Sequence, residues 1–140
     1  MKGLFNLCTP GDLVRKLEHD LQRMRAAPAD ARPAFDFVVT AYHLKDWLDP
    51  KVELREHRLL PVAGHLANSA KHFVTTKDWK QVSGTVRPLT RLSLMGTPEG
   101  ADDELIVAFT DREARRLGRR SMTALELADE LLRFWQTRVI

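Results

Sequence analysis

The reading of the fold turns on Pro61–Val74, PVAGHLANSAKHFV. Its small and apolar residues alternate with polar ones at helical spacing, and Pro61 suits a first helical turn, so the stretch predicts one helix. At about 100° per residue, Asn68, His72 and Ser69 fall near −60°, −20° and +40° from His65. All four therefore share one sector, flanked by Lys71. Ala63, Leu66, Ala67, Ala70, Phe73 and Val74 fill the opposite arc. Such a helix buries one face against other helices and keeps the other for polar contacts.

The chain before it is helical in pattern. Thr9-Pro10-Gly11-Asp12 supplies a capping hydroxyl, a first-turn proline and an acidic residue for the positive helix end. Leu13, Leu17, Leu21 and Met24 then recur at helical spacing, with Val14 beside them. AAPADARPA reads as a short connector. A second helix is expected from about Pro33 to Leu48, with Phe35, Val38, Val39 and Tyr42 on one side and Phe37, Ala41 and Leu44 on the next. So wide an apolar arc suits the centre of a bundle. Asp49-Pro50 is expected to stop it, and KVELREHRLL reads as a short helix or helical turn.

After Thr75 the pattern changes. WKQVSGTVRPLTRLSLMG mixes β-branched residues with Gly and Pro breaks, DELIVAFT reads as a strand, and RRLGRRS as a returning strand. Thr123-Ala-Leu-Glu126 is a capping-box pattern opening a last helix, striped by Leu125, Ala128, Leu131, Leu132 and Trp135. The expectation is one α+β domain over residues 1–140, mainly α. It is a four- or five-helix bundle (9–75) with a small antiparallel sheet (80–120) inserted before a closing helix (121–138).

The bulk properties narrow the class. The 140 residues are 44% hydrophobic and 29% charged, as in ordinary globular domains. Apolar runs are too short for a membrane span, and no long apolar segment of the signal-peptide kind opens the chain. The single Cys8 has no internal disulfide partner. These features lead us to expect a cytoplasmic protein with no membrane association. The net charge is +3 and the pI about 9.3, a mild excess that gathers in DREARRLGRR. Its Arg115, Arg116, Arg119 and Arg120 are candidate phosphate-binding groups, the plainer alternative being a charged edge strand. Trp47, Trp79, Trp135, Phe73 and Phe134 read as packing anchors, because no aromatic-basic alternation accompanies them.

Chemistry, if present, belongs to the polar sector. His65 and His72 lie roughly 10 Å apart along a helix axis, too far to share a metal, and no Cys pair or HxxxH helps. No metal and no cofactor is expected. Ser69 inside a helix is poorly presented as a nucleophile. Acid–base work by His72, with Asn68 beside it, uses these groups most naturally. His43 joins them as a candidate, because Asp46 stands three residues on and could pair with it. The alternative is a face that meets solvent or a partner.

A helical bundle with a polar residue four positions before a histidine resembles the HEPN superfamily, many of whose members cleave RNA. Its signature is an arginine, a polar residue that is often Asn, three variable residues and a histidine. Asn68 and His72 match it, and Ala67 stands where the arginine would be. AYHLKDW together with ANSAKHF also resembles a group of small bacterial and phage proteins with no established activity. The resemblance implies a HEPN-like bundle that dimerises along the motif helix and acts on or binds RNA in a phage-defence or toxin-like role. His72, Asn68 and His43 would then be catalytic, with His65, Ser69, Lys71 and the four arginines binding substrate, in a metal-independent ribonuclease. Ala67 favours the other reading, a non-catalytic bundle that binds a protein partner or its own twin through the same face.

Overall fold

The computed structural model describes residues 3–71, 86–90 and 103–139. The chain folds as helices α1 (Pro10–Ala26), α2 (Ala31–His43) and α3 (Leu60–Lys71), then strands β1 (Val86–Thr90) and β2 (Asp103–Ala108). Helix α4 (Asp111–Leu117), strand β3 (Ser121–Thr123) and helix α5 (Ala124–Arg138) complete it. The class is α+β and mainly α, with the sheet entering before the last helix.

Helix α1 starts where its caps dictate. The Thr9 hydroxyl accepts the Asp12 N–H at 3.1 Å, and Asp12 Oδ2 accepts the N–H groups of Cys8 and Thr9, each at 2.9 Å. Those donors, Cys8 first, hold the Asp12 carboxyl down at about 2. Its apolar stripe of Leu13, Leu17, Leu21 and Met24 is buried as the spacing predicts.

Helix α2 packs against α1, α3 and α5, which is the central place its broad apolar arc implies. It ends sooner than expected. A 3-10 turn takes over at Leu44–Asp46, and the Lys45 carbonyl accepts the Val52 N–H at 3.1 Å instead of continuing a helical ladder. KVELREHRLL contributes only a 3-10 turn at Leu54–Glu56.

Between α1 and α2 lies a buried ionic knot. Asp20 accepts Lys16 Nζ at 2.5 Å and Arg23 Nη1 at 3.0 Å, while Lys16 also donates to the Thr40 hydroxyl at 3.0 Å. Arg23 goes on to Asp36 on α2 at 2.9 Å. A buried carboxylate needs such partners, because taking it out of water unpaired costs several kcal/mol in round terms, about 3–5.

The sheet is antiparallel in the order β1-β2-β3, with Val86 opposite Val107 and Val107 opposite Met122. Strand β2 lies against α5, where Leu105 and Val107 are buried. Trp135 on α5 is fully buried and donates its indole N–H to the Ala41 carbonyl at 3.0 Å, locking α5 onto α2. Trp47 and Phe134 pack at the edge of this core, and Trp79 and Phe73 lie outside the described residues.

RRLGRRS is not a strand. Thr110 and Glu113 form a capping box that starts α4, and Gly118, at φ +74, ends it in the left-handed conformation that glycine adopts without strain. Only Ser121 of that stretch belongs to β3. At α5 the Thr123 hydroxyl accepts the Glu126 N–H at 3.0 Å, as the capping pattern predicts, and the Glu126 carboxylate turns to Arg119 at 3.1 Å. No described helix is long and apolar enough to cross a membrane.

Candidate functional site

Helix α3 divides as its sequence pattern predicts. Val62, Ala63, Leu66 and Ala67 are buried, and His65, Asn68 and Ser69 are half-buried on the other side. Gly64 lets α3 approach α2 closely: a Cβ there would lie 2.9 Å from Tyr42 Cε2. Position 67 faces the core at 6% exposure.

From the polar side of α3, His65 reaches across to α4. Its Nδ1 lies 2.5 Å from Oε2 of Glu113 on α4, forty-eight positions away in sequence and 2% exposed. An ionised carboxylate can only accept, so with Glu113 ionised the contact is made by the tautomer that carries its proton on Nδ1. Glu113 Oε1 in turn accepts the Thr110 N–H at 3.0 Å, so the capping box that starts α4 also aims the carboxylate. The His65 side chain keeps 31% of its surface, so the ring is anchored from below and reaches the protein surface.

The other members of the polar sector separate. The Ser69 hydroxyl donates to the His65 carbonyl at 3.0 Å, the back-bond a serine makes inside a helix. Ser69 also lines an open, mainly apolar groove of about 370 Å³ with Phe35, Val38, Val39, Leu66 and Leu127. His72 and the Lys71 side chain lie outside the described residues. His43 is exposed at the end of α2, its ring edge-on to Tyr42 at 5.2 Å. The expected His43–Asp46 pair does not form: the 3-10 turn redirects Asp46, whose carboxylate takes Lys45 at 3.0 Å and Lys51 at 3.8 Å.

The arginines divide as well. Arg116 donates to the Arg58 carbonyl at 2.6 Å, and Arg58 pairs with Glu130 at 2.7 Å, so both tie α4 and the approach to α3 onto α5. Arg119 donates to the Ser121 carbonyl at 2.7 Å besides pairing with Glu126. Arg112, Arg115 and Arg120 are exposed, and their side chains make no hydrogen bond or ion pair among the described residues. Arg115, Arg119 and Arg120 line an open depression of about 520 Å³ at the end of α4, with Asp111 on its rim. Arg115 stands roughly 160° round α4 from Glu113, so this basic surface and the His65 pair occupy different faces of one helix.

Just before α3, His57 Nδ1 accepts the Leu59 N–H at 3.0 Å, and its ring packs on Phe134 at 5.0 Å. Burial lowers its pKa below the ordinary 6.5, with Glu130 opposing and Arg58 adding to the shift. Among the described residues, no group of three His, Cys, Asp or Glu side chains is arranged to hold a metal ion.

No family model, no curated protein and no solved structure matches this chain. Glu113 is the site residue that sequence reading passed over. Thr110-x-x-Glu113 is a legible capping box and marks the start of α4, but nothing local points from Glu113 to His65.

Proposed function

We propose that the chain is a HEPN-like helical bundle that binds RNA, its phosphates taken by the arginines of α4. One observation carries this reading: among the described residues, the exposed arginines whose side chains make no hydrogen bond or ion pair, Arg112, Arg115 and Arg120, lie on α4 and the turn after it. Elsewhere Arg23, Arg25, Arg32, Arg58 and Arg138 each pair with a carboxylate. Like charges kept together without acidic partners suit a polyanion, and a guanidinium offers phosphate two parallel N–H donors. In this chain the phosphate-binding cations would come from α4.

The test is fluorescence anisotropy with a single-stranded RNA of mixed sequence, across a salt series. Replacing Arg112, Arg115 and Arg120 together by alanine is expected to weaken binding and flatten the plot of log affinity against log salt by about 2 units, near 0.7 per lost phosphate contact. Unchanged affinity and slope in the folded triple variant would remove the RNA reading. The non-catalytic protein-binding bundle would then stand in its place.

A further inference from the structure

We infer that His57 is a proton-operated latch: its neutral ring fixes the turn that leads into α3 and through which α4 is tied to α5. The device is the triplet His57-Arg58-Leu59. A backbone N–H can only donate, so His57 Nδ1, which accepts the Leu59 N–H at 3.0 Å, carries no proton and the ring holds its proton on Nε2. Leu59 is fully buried, and the imidazole serves its N–H in place of water. The turn then runs straight into the helix: the His57 carbonyl accepts the Leu60 N–H at 3.1 Å and the Leu59 carbonyl the Ala63 N–H at 2.9 Å. Arg58, in the middle, joins two further helices. Its carbonyl accepts Arg116 of α4 at 2.6 Å, and its guanidinium holds Glu130 of α5 at 2.7 Å.

A proton on Nδ1 takes up the lone pair that Leu59 uses and sets a donor against a donor. The imidazolium also enters a charged setting. Glu130 and Arg138 approach the turn from α5 and Arg116 from α4, while Glu56 and Arg58 belong to its own segment, with Glu56 paired to Arg138 at 3.3 Å. Burial of the ring, which packs on Phe134, places its titration below pH 6.5; Glu130 favours the charged ring and Arg58 opposes it. The new charge therefore draws on the same Glu130 that holds Arg58. Both effects loosen the residue whose carbonyl carries Arg116. Because α4 also bears Arg112, Arg115 and Arg120, the latch governs how that basic surface is held, whether or not RNA is what it binds.

The test is NMR on the ¹⁵N-labelled 140-residue chain as pH is lowered from neutrality. It follows the His57 ring nitrogens, the hydrogen-exchange protection of the Leu59 amide and the Arg116 guanidinium. Leu59 protection is expected to fall about 10-fold as His57 titrates, the worth of one buried hydrogen bond. The Arg116 signal is expected to move with the same midpoint, below pH 6.5. His57→Asn supplies a carboxamide oxygen that accepts at every pH, and is expected to hold both signals at their neutral-pH values. Glu130→Gln, the second variant, removes the charge that favours the imidazolium and is expected to move the midpoint to lower pH, which a merely structural pair would not do. Full Leu59 protection beside a protonated His57, an Arg116 transition with a different midpoint, a transition that survives in folded His57→Asn, or an unmoved midpoint in Glu130→Gln would each overturn the latch.

Discussion

Two carboxylates are buried equally deeply in this protein, Asp20 between α1 and α2 and Glu113 between α4 and α3, both 2% exposed. Asp20 is surrounded by groups whose charge does not change near neutral pH, Lys16 and Arg23, and its second-rank partners, Thr40 and Asp36, belong to the same knot. The partners of Glu113 include a backbone N–H and an imidazole. Both arrangements satisfy a buried charge. Only the second has a partner on the polar face of α3. The contrast shows that equal burial can be met by chemically different partners, a lysine and an arginine at Asp20 and an imidazole at Glu113.

The largest effect is expected where the contrast is purely structural. Asp20→Ala removes the anion shared by Lys16 and Arg23 and is expected to lower unfolding free energy by about 3 kcal/mol, read as a reduced urea midpoint with unchanged slope. Glu113→Gln keeps a Thr110 acceptor and is expected to lower it by only about 1 kcal/mol. A loss as large as that of Asp20→Ala would make Glu113 glue of the same kind. Gly64→Ala sharpens the picture of how α3 is placed. Overpacking against Tyr42 costs about 1–3 kcal/mol, the better helix former returns about 1, and a net loss near 1 kcal/mol is expected in the same titration.

The smallest effect concerns pH. In the unfolded chain His57 takes a proton near 6.5, and burial depresses that value in the folded chain. As pH falls below 6.5 toward the folded value, the unfolded chain binds more protons, so stability declines with acidification and levels off above 6.5. His57→Asn is expected to flatten the dependence below pH 6.5 while offering Leu59 N–H another acceptor. An unaltered dependence would show that other histidines dominate it.

Much of this was legible in the sequence because it is local. Thr9, Pro10 and Asp12 announce α1, the wide apolar arc of α2 announces a central helix, and the α3 pattern places His65, Asn68 and Ser69 on one face. What escaped reading is of two kinds. The helix α4 carried its own signals, Thr110-x-x-Glu113 at the start and Gly118 at the end, but its arginines and the short length suggested a charged edge strand. The pairings of His65 with Glu113, Lys16 with Thr40 and Arg23 with Asp36 join segments through packing, and no spacing rule within one helix reaches them. The early end of α2 belongs with these, since the Lys45 carbonyl is claimed by Val52 from the returning chain.

The most direct test is an NMR titration of the ¹⁵N-labelled protein with the single-stranded RNA, following the Arg115 and Arg120 side chains, and Lys16 and Thr40 as the comparison. The predicted result is that the two arginines shift with RNA while Lys16 and Thr40 stay in place. Shifts confined to the Asp20 knot, or Arg115 and Arg120 signals that ignore saturating RNA, would contradict the account.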